Sequence, residues 1–485
     1  MGQTIFVGRE RAAGEGRVSA SPDTVKRLVG LGFSVVVEKG AGVASRISDA
    51  EYEKAGAKVG AASDAGKADV VLKVRRPEAA EVKGYKKGAV VIAAMDPYGH
   101  EGEVAALAKA GLTAFAMEFM PRITRAQSMD VLSSQANLAG YRAVIDAAAE
   151  YDRALPMMMT AAGTVPAAKV FVMGAGVAGL QAIATARRLG AVVSATDVRA
   201  AAGEQVASLG AKFVMTEALK DASGEGGYAR ELTDEEKKAQ GELVSGHIAK
   251  QDIVITTALI PGRPAPKLVS AEMVKSMRAG SVIVDLAVER GGNVEGAKPG
   301  EVVTTAGGVK ILGHLNVPGR VAASASLLYA RNLYAFLETL VDKEKGALAI
   351  DFDDELVKAT LLTHAGKVVH PNLAEAAPAA GGAKGGAAKK PAGAQRSASK
   401  RGAARTGTAR STGAKTGTAK TTTAKSGAAK TGASGSGAAK SDATKSDAAK
   451  SDAAKSDAAK PKQTAAGAAA PAGTAGSTNT TGGEN

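Results

Sequence analysis

The stretch 168–199, AKVFVMGAGVAGLQAIATARRLGAVVSATDVR, limits the fold more than any other part of the chain. An apolar run at 170–173 predicts a buried strand, the residues up to Leu189 predict a helix, and 191–196 predict a second strand. Three glycines separate the first strand from the helix: Gly174, Gly176 and Gly179. The stretch therefore predicts a β-α-β unit that turns on glycine.

The glycine spacing indicates what such a unit binds. Gly174 permits a tight turn, Gly176 lets the backbone approach a pyrophosphate, and Gly179 lets the helix lie close to the sheet with its N-terminus toward the phosphates. Asp197 stands 23 residues after Gly174, where an acid accepts hydrogen bonds from a ribose 2′ hydroxyl and repels a 2′ phosphate. The expected ligand is NAD or NADH. Arg199 could neutralise a 2′ phosphate, and a solvated or carboxylate-paired arginine is the alternative.

The composition changes abruptly near residue 376. After Leu373 the chain contains no Val, Ile, Leu, Met, Phe, Tyr or Trp, so residues 377–485 are expected to be disordered. This segment has 18 Lys and Arg residues against 5 Asp and Glu residues, and its net charge of +13 accounts for nearly all of the chain's +14. Nucleic acid or an anionic membrane surface fits that charge, and a plain solvating tail is the alternative.

Several classes of protein are excluded by what the chain lacks. It has no cysteine, and therefore no disulfide, zinc-thiolate site or cysteine nucleophile. Its N-terminus lacks the apolar region of a signal peptide. The longest apolar runs, such as AVVIAAM at 89–95, fall far short of the ~20 residues that a membrane helix needs. We expect the chain to be soluble by itself.

Alternating short strands and helices run through the first 135 residues and again through the central region. This alternation predicts an α/β fold with two doubly wound, parallel-sheet (Rossmann-like) domains and a cleft between them. We expect residues 1–135 and 322–376 to form the first domain, 136–321 the NAD-binding domain and 377–485 a disordered basic tail. Between 215 and 252, glycines around Tyr228 suggest a lid that closes on the cofactor, with an inert surface loop as the alternative.

A polar set precedes the helix that joins the two domains. In the segment 117–144, MEFMPRITRAQSMDVLSSQANLAGYRAV, Arg122, Gln127, Asp130 and Ser133 lie five, three and three residues apart. An Arg and Asp pair with an amide and a hydroxyl could hold a carboxamide, ribose hydroxyls and pyrophosphate. The same spacing is also typical of a capped helix start with solvated charges, and spacing alone does not decide between them.

This segment resembles the RQD loop of domain I, the NAD(H)-binding component of proton-translocating NAD(P) transhydrogenases. The resemblance runs from the N-terminus to about His370. It includes GRVSASPDTV, KVRRP at 73–77, TTALIPGRPAPKLV at 256–269, GSVIVDLAVERGGN and GHLNVPGR. Because no membrane helices follow, the chain resembles the separate alpha-1 subunit of the bacterial three-subunit form. The resemblance implies a cofactor site made of Arg122, Gln127, Ser128, Met129, Asp130, Ser133, Gly174, Gly176, Val177, Gly179, Asp197, Val198, Arg199, Gly227, Tyr228 and Leu259.

The resemblance also implies a reaction. Hydride passes directly from NADH on this chain to NADP⁺ on a partner's NADP-binding domain, coupled to proton movement through membrane subunits. Arg122, Gln127, Asp130 and Ser133 would take the catalytic roles, with Gln127 bridging toward the partner's nucleotide. Gly227 and Tyr228 would belong to a mobile loop. The family further implies a homodimer, in the cytoplasm, held peripherally at the inner membrane through its partner subunits.

Two other functions remain open at this stage. An alanine dehydrogenase would share the architecture and use Arg17 and Lys73 for a keto-acid carboxylate, but the strand AVVIAAMDPY lacks that family's histidine, and His100 falls past it in a turn. The second alternative is a nucleic-acid or membrane-surface binding protein that acts through its tail. Salt-sensitive DNA binding by an isolated 377–485 peptide would support it. The other histidines show no metal-ligand spacing, and no metal is expected.

Overall fold

The computed structural model of the protein describes residues 2–216, 232–260 and 262–374. The predicted basic tail and the predicted lid residues Gly227 and Tyr228 lie outside these ranges. The strands, in chain order, are β1 (Thr4–Val7), β2 (Ser34–Glu38), β3 (Lys58–Gly60), β4 (Val70–Arg75), β5 (Val90–Ala94), β6 (Thr113–Ala116), β7 (Met158–Thr160), β8 (Gly163–Val165), β9 (Lys169–Met173), β10 (Val192–Thr196), β11 (Lys212–Phe213), β12 (Ile253–Thr256), β13 (Val282–Asp285), β14 (Val302–Thr304), β15 (Lys310–Leu312), β16 (Val341–Asp342), β17 (Ala347–Leu348), β18 (Leu361–His364) and β19 (Lys367–Val368).

Helices alternate with these strands along the chain. In chain order they are α1 (Pro22–Gly30), α2 (Asp49–Lys54), α3 (Ala79–Val82), α4 (Glu101–Lys109), α5 (Val131–Glu150), α6 (Val177–Arg188), α7 (Ala202–Ser208), α8 (Asp234–Ile248), α9 (Ala271–Ser276), α10 (Ala322–Thr339), α11 (Glu355–Thr360) and α12 (Pro371–Ala374). Local chemistry sets where several of them begin. The Ser21 hydroxyl, for example, accepts the Thr24 N–H while the Thr24 hydroxyl accepts the Ser21 N–H, so α1 starts at Pro22.

The first sheet has the order β19-β18-β6-β5-β4-β1-β2-β3. Strands β1 to β6 pair in parallel, whereas β18 and β19 add an antiparallel edge made by the end of the described chain. Alternate residues enter different cores: Ile5 and Val7 pack on one face of the sheet and Phe6 on the other. Both faces are therefore covered, as expected for a doubly wound sheet.

The second sheet has the order β11-β10-β9-β12-β13-β15-β14 and is parallel except for β14. Its central strand β9 places Val170 and Val172 in one core and Phe171 and Met173 in the other. Strand order reverses beside β9, between β10 and β12. In open α/β sheets, such a switch point at the carboxyl ends of the strands is where ligands bind.

Helix α5 links the two sheets and packs closely against α6. A Cβ atom on Gly140 would lie 2.0 Å from the Ala178 carbonyl oxygen, so glycine allows the two helix backbones to approach. Helix α10 then returns the chain to the first sheet, where the Ala94 N–H donates to the Tyr329 hydroxyl at 2.9 Å. Together these two helices bring the carboxyl ends of both sets of strands to one cleft.

The structure departs from the sequence-based expectations at a few elements. Helix α5 begins at Val131, six residues before the predicted start at Asn137, because Asp130 caps it. Two small hairpins, β7–β8 and β16–β17, were not predicted from the sequence. Among the described residues, no helix is long and apolar enough to span a membrane.

Candidate functional site

The turn between β9 and α6 is built around its glycines. Gly174 has φ +101°, a conformation that L side chains rarely adopt, and its backbone lies against the hydroxyl of Thr257. A Cβ on Gly179 would stand 1.8 Å from the Gly174 carbonyl oxygen, so glycine is required for the helix to approach the turn. A Cβ on Gly176 would meet nothing within 4 Å, which leaves open space at the start of α6.

Asp197 follows β10 and ties this turn to the neighbouring strand. Its carboxylate accepts the Ala175 N–H at 2.7 Å and the Arg199 N–H at 2.9 Å. The Arg199 guanidinium also donates to both carboxylate oxygens, at 2.8 and 2.9 Å. Burial raises the pKa of Asp197, but these hydrogen bonds outweigh it and the pKa lies below its ordinary value. Asp197 is therefore an anion, paired with Arg199 as the carboxylate-paired alternative for that arginine anticipated.

The polar segment after β6 is both a helix start and part of the cleft. Asp130 caps α5: its carboxylate accepts the Ser133 N–H at 2.8 Å and the Ser133 hydroxyl at 2.5 Å. Arg122 and Gln127 are exposed. All four residues line the cleft. The capped helix start and the functional set are therefore the same residues, so neither interpretation excludes the other.

Ser128 and Met129 occupy different surroundings. Their side chains are not part of the cleft lining. Met129 is 5% exposed and packs in the core of the first sheet, while the Ser128 carbonyl accepts the Asn332 amide at 2.8 Å. These contacts attach the segment to α10 and so hold Arg122 and Gln127 at the cleft.

One cleft receives most of the expected site residues. Its volume is about 2460 Å³, larger than the ~300–1,000 Å³ of typical small-molecule pockets. The first sheet contributes the segment with Arg122 and Gln127. The second sheet contributes its glycine turn and the residues after β10 and β12, namely Gly174, Gly176, Val177, Asp197, Val198, Arg199 and Leu259. Gly179 lies beneath this surface, where it supports the turn.

The sequence did not single out Asn293 as a site residue. It is fully buried, accepts the Ala258 N–H at 3.0 Å, and donates to the carbonyls of Ala258 and Pro266 at 2.9 and 2.8 Å. It therefore shapes the loop that presents Leu259. The GGN end of the recognised stretch at 291–293 was the available signal, but its spacing does not indicate this role.

An aromatic cluster forms another part of the cleft lining. The His370 ring stacks on Phe119 with 4.4 Å between centroids, and Tyr98 meets Phe119 edge-on at 5.6 Å. All three residues line the cleft, and burial lowers the pKa of His370. Sequence reasoning gave His370 a structural or surface role by default. The described residues contain no cluster of His, Cys, Asp and Glu that could hold a metal ion.

The two residues considered for a keto-acid carboxylate are engaged elsewhere. The Arg17 guanidinium binds the Glu15 carboxylate at 2.7 and 2.8 Å, and the Lys73 ammonium binds Glu81 at 2.8 Å. Neither cation is part of the cleft lining. His100 precedes α4, with its Nδ1 2.9 Å from the Asp96 carbonyl oxygen.

Known proteins resemble the chain along most of its length. The model of the alanine dehydrogenase/PNT N-terminal domain matches residues 6–139, and that of the C-terminal domain matches residues 143–371. An NAD(P) transhydrogenase alpha subunit, in its separate first portion, from Rhodospirillum rubrum is 56% identical over 378 residues, which cover 76% of this chain and 98% of that one.

Solved structures give the same picture. A transhydrogenase from Sinorhizobium meliloti is 67% identical, with a TM-score of 0.68, and the match covers 76% of this chain and 100% of that one. An L-alanine dehydrogenase is 27% identical, with a TM-score of 0.66 and coverage of 78% and 99%. The chain thus resembles proteins of two activities that share one fold.

Proposed function

The chain belongs to the alanine dehydrogenase/PNT family, and from that premise we propose that it is the NAD(H)-binding subunit of a proton-translocating NAD(P) transhydrogenase. One observation carries the proposal. The segment with Arg122, Gln127 and Asp130 and the glycine turn with Asp197 line the same cleft, although they come from different sheets. A dinucleotide with its nicotinamide near the first and its adenosine near the second would use both.

The cleft fits NADH better than NADPH. The open space at Gly176 leaves room for a pyrophosphate at the N-terminus of α6, where backbone N–H groups favour an anion. Asp197 is anionic, so a ribose diol can donate to it and a 2′ phosphate is repelled. Arg199 neutralises part of that charge and must share the carboxylate with the ribose.

When bound, the nicotinamide supplies the hydride, and the transfer needs no general acid or base. The protein's part is then to orient the ring and exclude water. Arg122 and Asp130 would fix the carboxamide and ribose. The exposed amide of Gln127 would reach the partner's nucleotide, and the cap between Asp130 and Ser133 would keep these donors and acceptors in place.

The relatives' names refer to subunits, and we extend this to partners of the present chain. It would deliver hydride to NADP⁺ on the NADP-binding domain of a partner and would sit peripherally at the inner membrane, on the cytoplasmic side, through membrane subunits. A second copy of the chain would cover the β7–β8 hairpin, where Met157, Met158 and Met159 are 62, 44 and 75% exposed. Light scattering of wild type and Met159→Lys tests the dimer.

Alanine dehydrogenase is the competing enzyme. Its reaction needs a proton donor and acceptor at the cleft, but β5 carries no histidine and His100 contacts the Asp96 carbonyl. Arg17 and Lys73 are paired with the chain's own carboxylates. The identity of 67% to a transhydrogenase structure, against 27% to an alanine dehydrogenase, points the same way.

Reconstitution tests the proposal. The chain is mixed with the NADP-binding domain of a family member, and hydride transfer from NADH to an NADP analogue is followed by absorbance. The proposal predicts transfer that needs both proteins. Absence of transfer, together with pyruvate- and ammonia-dependent oxidation of NADH by this chain alone, would replace it with alanine dehydrogenase.

A further inference from the structure

The residue after β5 and its neighbour have an unusual backbone arrangement. Asp96 has φ +45°, in the left-handed region that residues other than glycine rarely adopt. Its N–H and that of Met95 both donate to the buried carboxylate of Glu118, the latter at 3.0 Å. Arg76 donates to the Asp96 carbonyl at 2.8 Å. The strained conformation is therefore imposed by its surroundings, and it aims the Asp96 side chain into the cleft.

Across the cleft, this carboxylate meets Arg290. Arg290 ends a short 3-10 helix, Val288–Arg290, that follows β13 of the second sheet. The two side chains form an ion pair and are 44 and 42% exposed. The pair thus joins a turn of the first sheet to a turn of the second, at residues that both line the cleft.

A second connection leaves the same short helix. Glu289 accepts the Asn316 N–H at 2.7 Å, and the Asn316 amide donates to the Gly14 carbonyl, ahead of α1, at 3.1 Å. Asn316 also has a positive φ, +47°. Its amide oxygen is the buried side-chain polar atom that lacks a hydrogen-bond partner within the described part of the chain. Strain and an unsatisfied acceptor cost free energy, so this connection is held by more than local preference.

We propose that Asp96 and Arg290 are positioning residues that set the distance between the two sides of the nicotinamide cleft. The inference rests on the proposed function, in which one NADH must reach both the glycine turn and the Arg122 segment. Oriented reactions are steep in distance, so a small change in spacing affects binding and transfer. An exposed ion pair contributes about 0.2–1 kcal/mol. It therefore biases the cleft toward one width and does not lock it.

The first test measures the width without nucleotide, and so does not depend on the proposed function. The chain has no cysteine, which allows two spin labels to be placed on exposed lysines, at Lys109→Cys on α4 and Lys275→Cys on α9. Electron-electron resonance should give a distance distribution that broadens or shifts in Arg290→Gln and is restored in Arg290→Lys. Identical distributions in all three proteins would overturn the inference.

The second test measures NADH dissociation by stopped-flow fluorescence. Asp96→Asn keeps a residue that tolerates positive φ and removes the charge. It and Arg290→Gln should each speed dissociation about two- to five-fold, and the double variant should be no faster, since both changes break one contact. Arg27→Gln, which breaks an exposed pair with Asp23 on α1, is the control.

The two failures can be distinguished. Additive effects, or none against a wild type that binds NADH, would overturn the inference alone. A wild type that binds no NADH would overturn the proposed function, while the label distances would still decide whether the ion pair sets the cleft width.

Discussion

At the scale of single residues, Asp197 decides which nucleotide the cleft accepts. Both of its carboxylate oxygens already accept two hydrogen bonds, from Ala175 N–H, Arg199 N–H and the Arg199 guanidinium. Sequence spacing predicted the acid and its place after the second strand. It could not settle whether Arg199 would be solvated or paired, because a side-chain contact depends on rotamers that a one-dimensional pattern does not carry.

We expect wild type to bind NADH far better than NADPH, and Asp197→Ala to narrow this preference mainly by weakening NADH binding. A hydrogen bond to a charged group is worth roughly 1.5–3 kcal/mol, or about 10- to 150-fold in affinity. Calorimetric titration of both nucleotides checks this, with Asp197→Asn as an isosteric control. Equal affinities of wild type for NADH and NADPH would remove Asp197 from its assigned role.

A second residue, Glu10, should make stability depend on pH. Burial raises its pKa to about 7, against the opposing effects of Lys73 and of the Val74 and Arg75 N–H groups. Because the folded pKa exceeds the ordinary value of 4.5, Glu10 stabilises the fold most below that pH, and the contribution is lost as the pH rises through 7.

Glu10→Gln should therefore remove a decline on the order of 1–3 kcal/mol in unfolding free energy between pH 5 and 8. Urea unfolding of wild type and variant at both pH values measures it. If the two proteins change in parallel with pH, then Glu10 is not the group responsible.

At the scale of elements, hydrophobic alternation and glycine positions predicted most of the two sheets. Helix α1 and the strands β9 and β10 lie close to where the apolar pattern placed them. The antiparallel edges β14, β18 and β19 and the hairpin β7–β8 were not foreseen, because pairing direction depends on distant residues and the hairpin residues are exposed. Gly140 was likewise missed, since only the packing of α5 on α6 reveals its role.

Three glycine substitutions separate packing from binding. Gly140→Ala and Gly179→Ala would place a Cβ at 2.0 and 1.8 Å from carbonyl oxygens, so each should destabilise the fold by about 1–3 kcal/mol or more. Gly176→Ala meets open space and should unfold like wild type, yet weaken NADH binding by occupying the room left for phosphates. Thermal unfolding and NADH titration measure both. A Gly176→Ala variant with unchanged NADH affinity would contradict the phosphate assignment.

At the scale of the whole molecule, the cleft emerges only when α5 and α10 bring two sheets together. No local pattern shows that the Arg122 segment and the Asp197 turn share a cleft, and the resemblance to transhydrogenases supplied that expectation. The spacing of Asp130 and Ser133 predicted a helix cap equally well, and the structure has both the cap and the cleft lining. The domain boundaries at 135 and 322 remain predictions.

Removal of residues 377–485 should leave folding, dimerisation and NADH binding intact, because this segment has no aliphatic side chain larger than that of alanine. Its net charge of +13 should matter only for association with anionic surfaces, and such association should fade at high salt. Scanning calorimetry of the full and shortened chains tests the first expectation. A large loss of melting temperature would show that the tail is docked on the fold.

The most direct test of the central claim concerns Gln127, whose exposed amide lines the cleft. Gln127→Asn withdraws the amide by one methylene, so NADH affinity should be nearly unchanged while hydride transfer in the reconstituted complex slows by roughly tenfold or more. Arg122→Ala should weaken NADH binding as well. A Gln127→Asn variant that transfers hydride at the wild-type rate would mean that this segment only binds NADH, and would contradict the account.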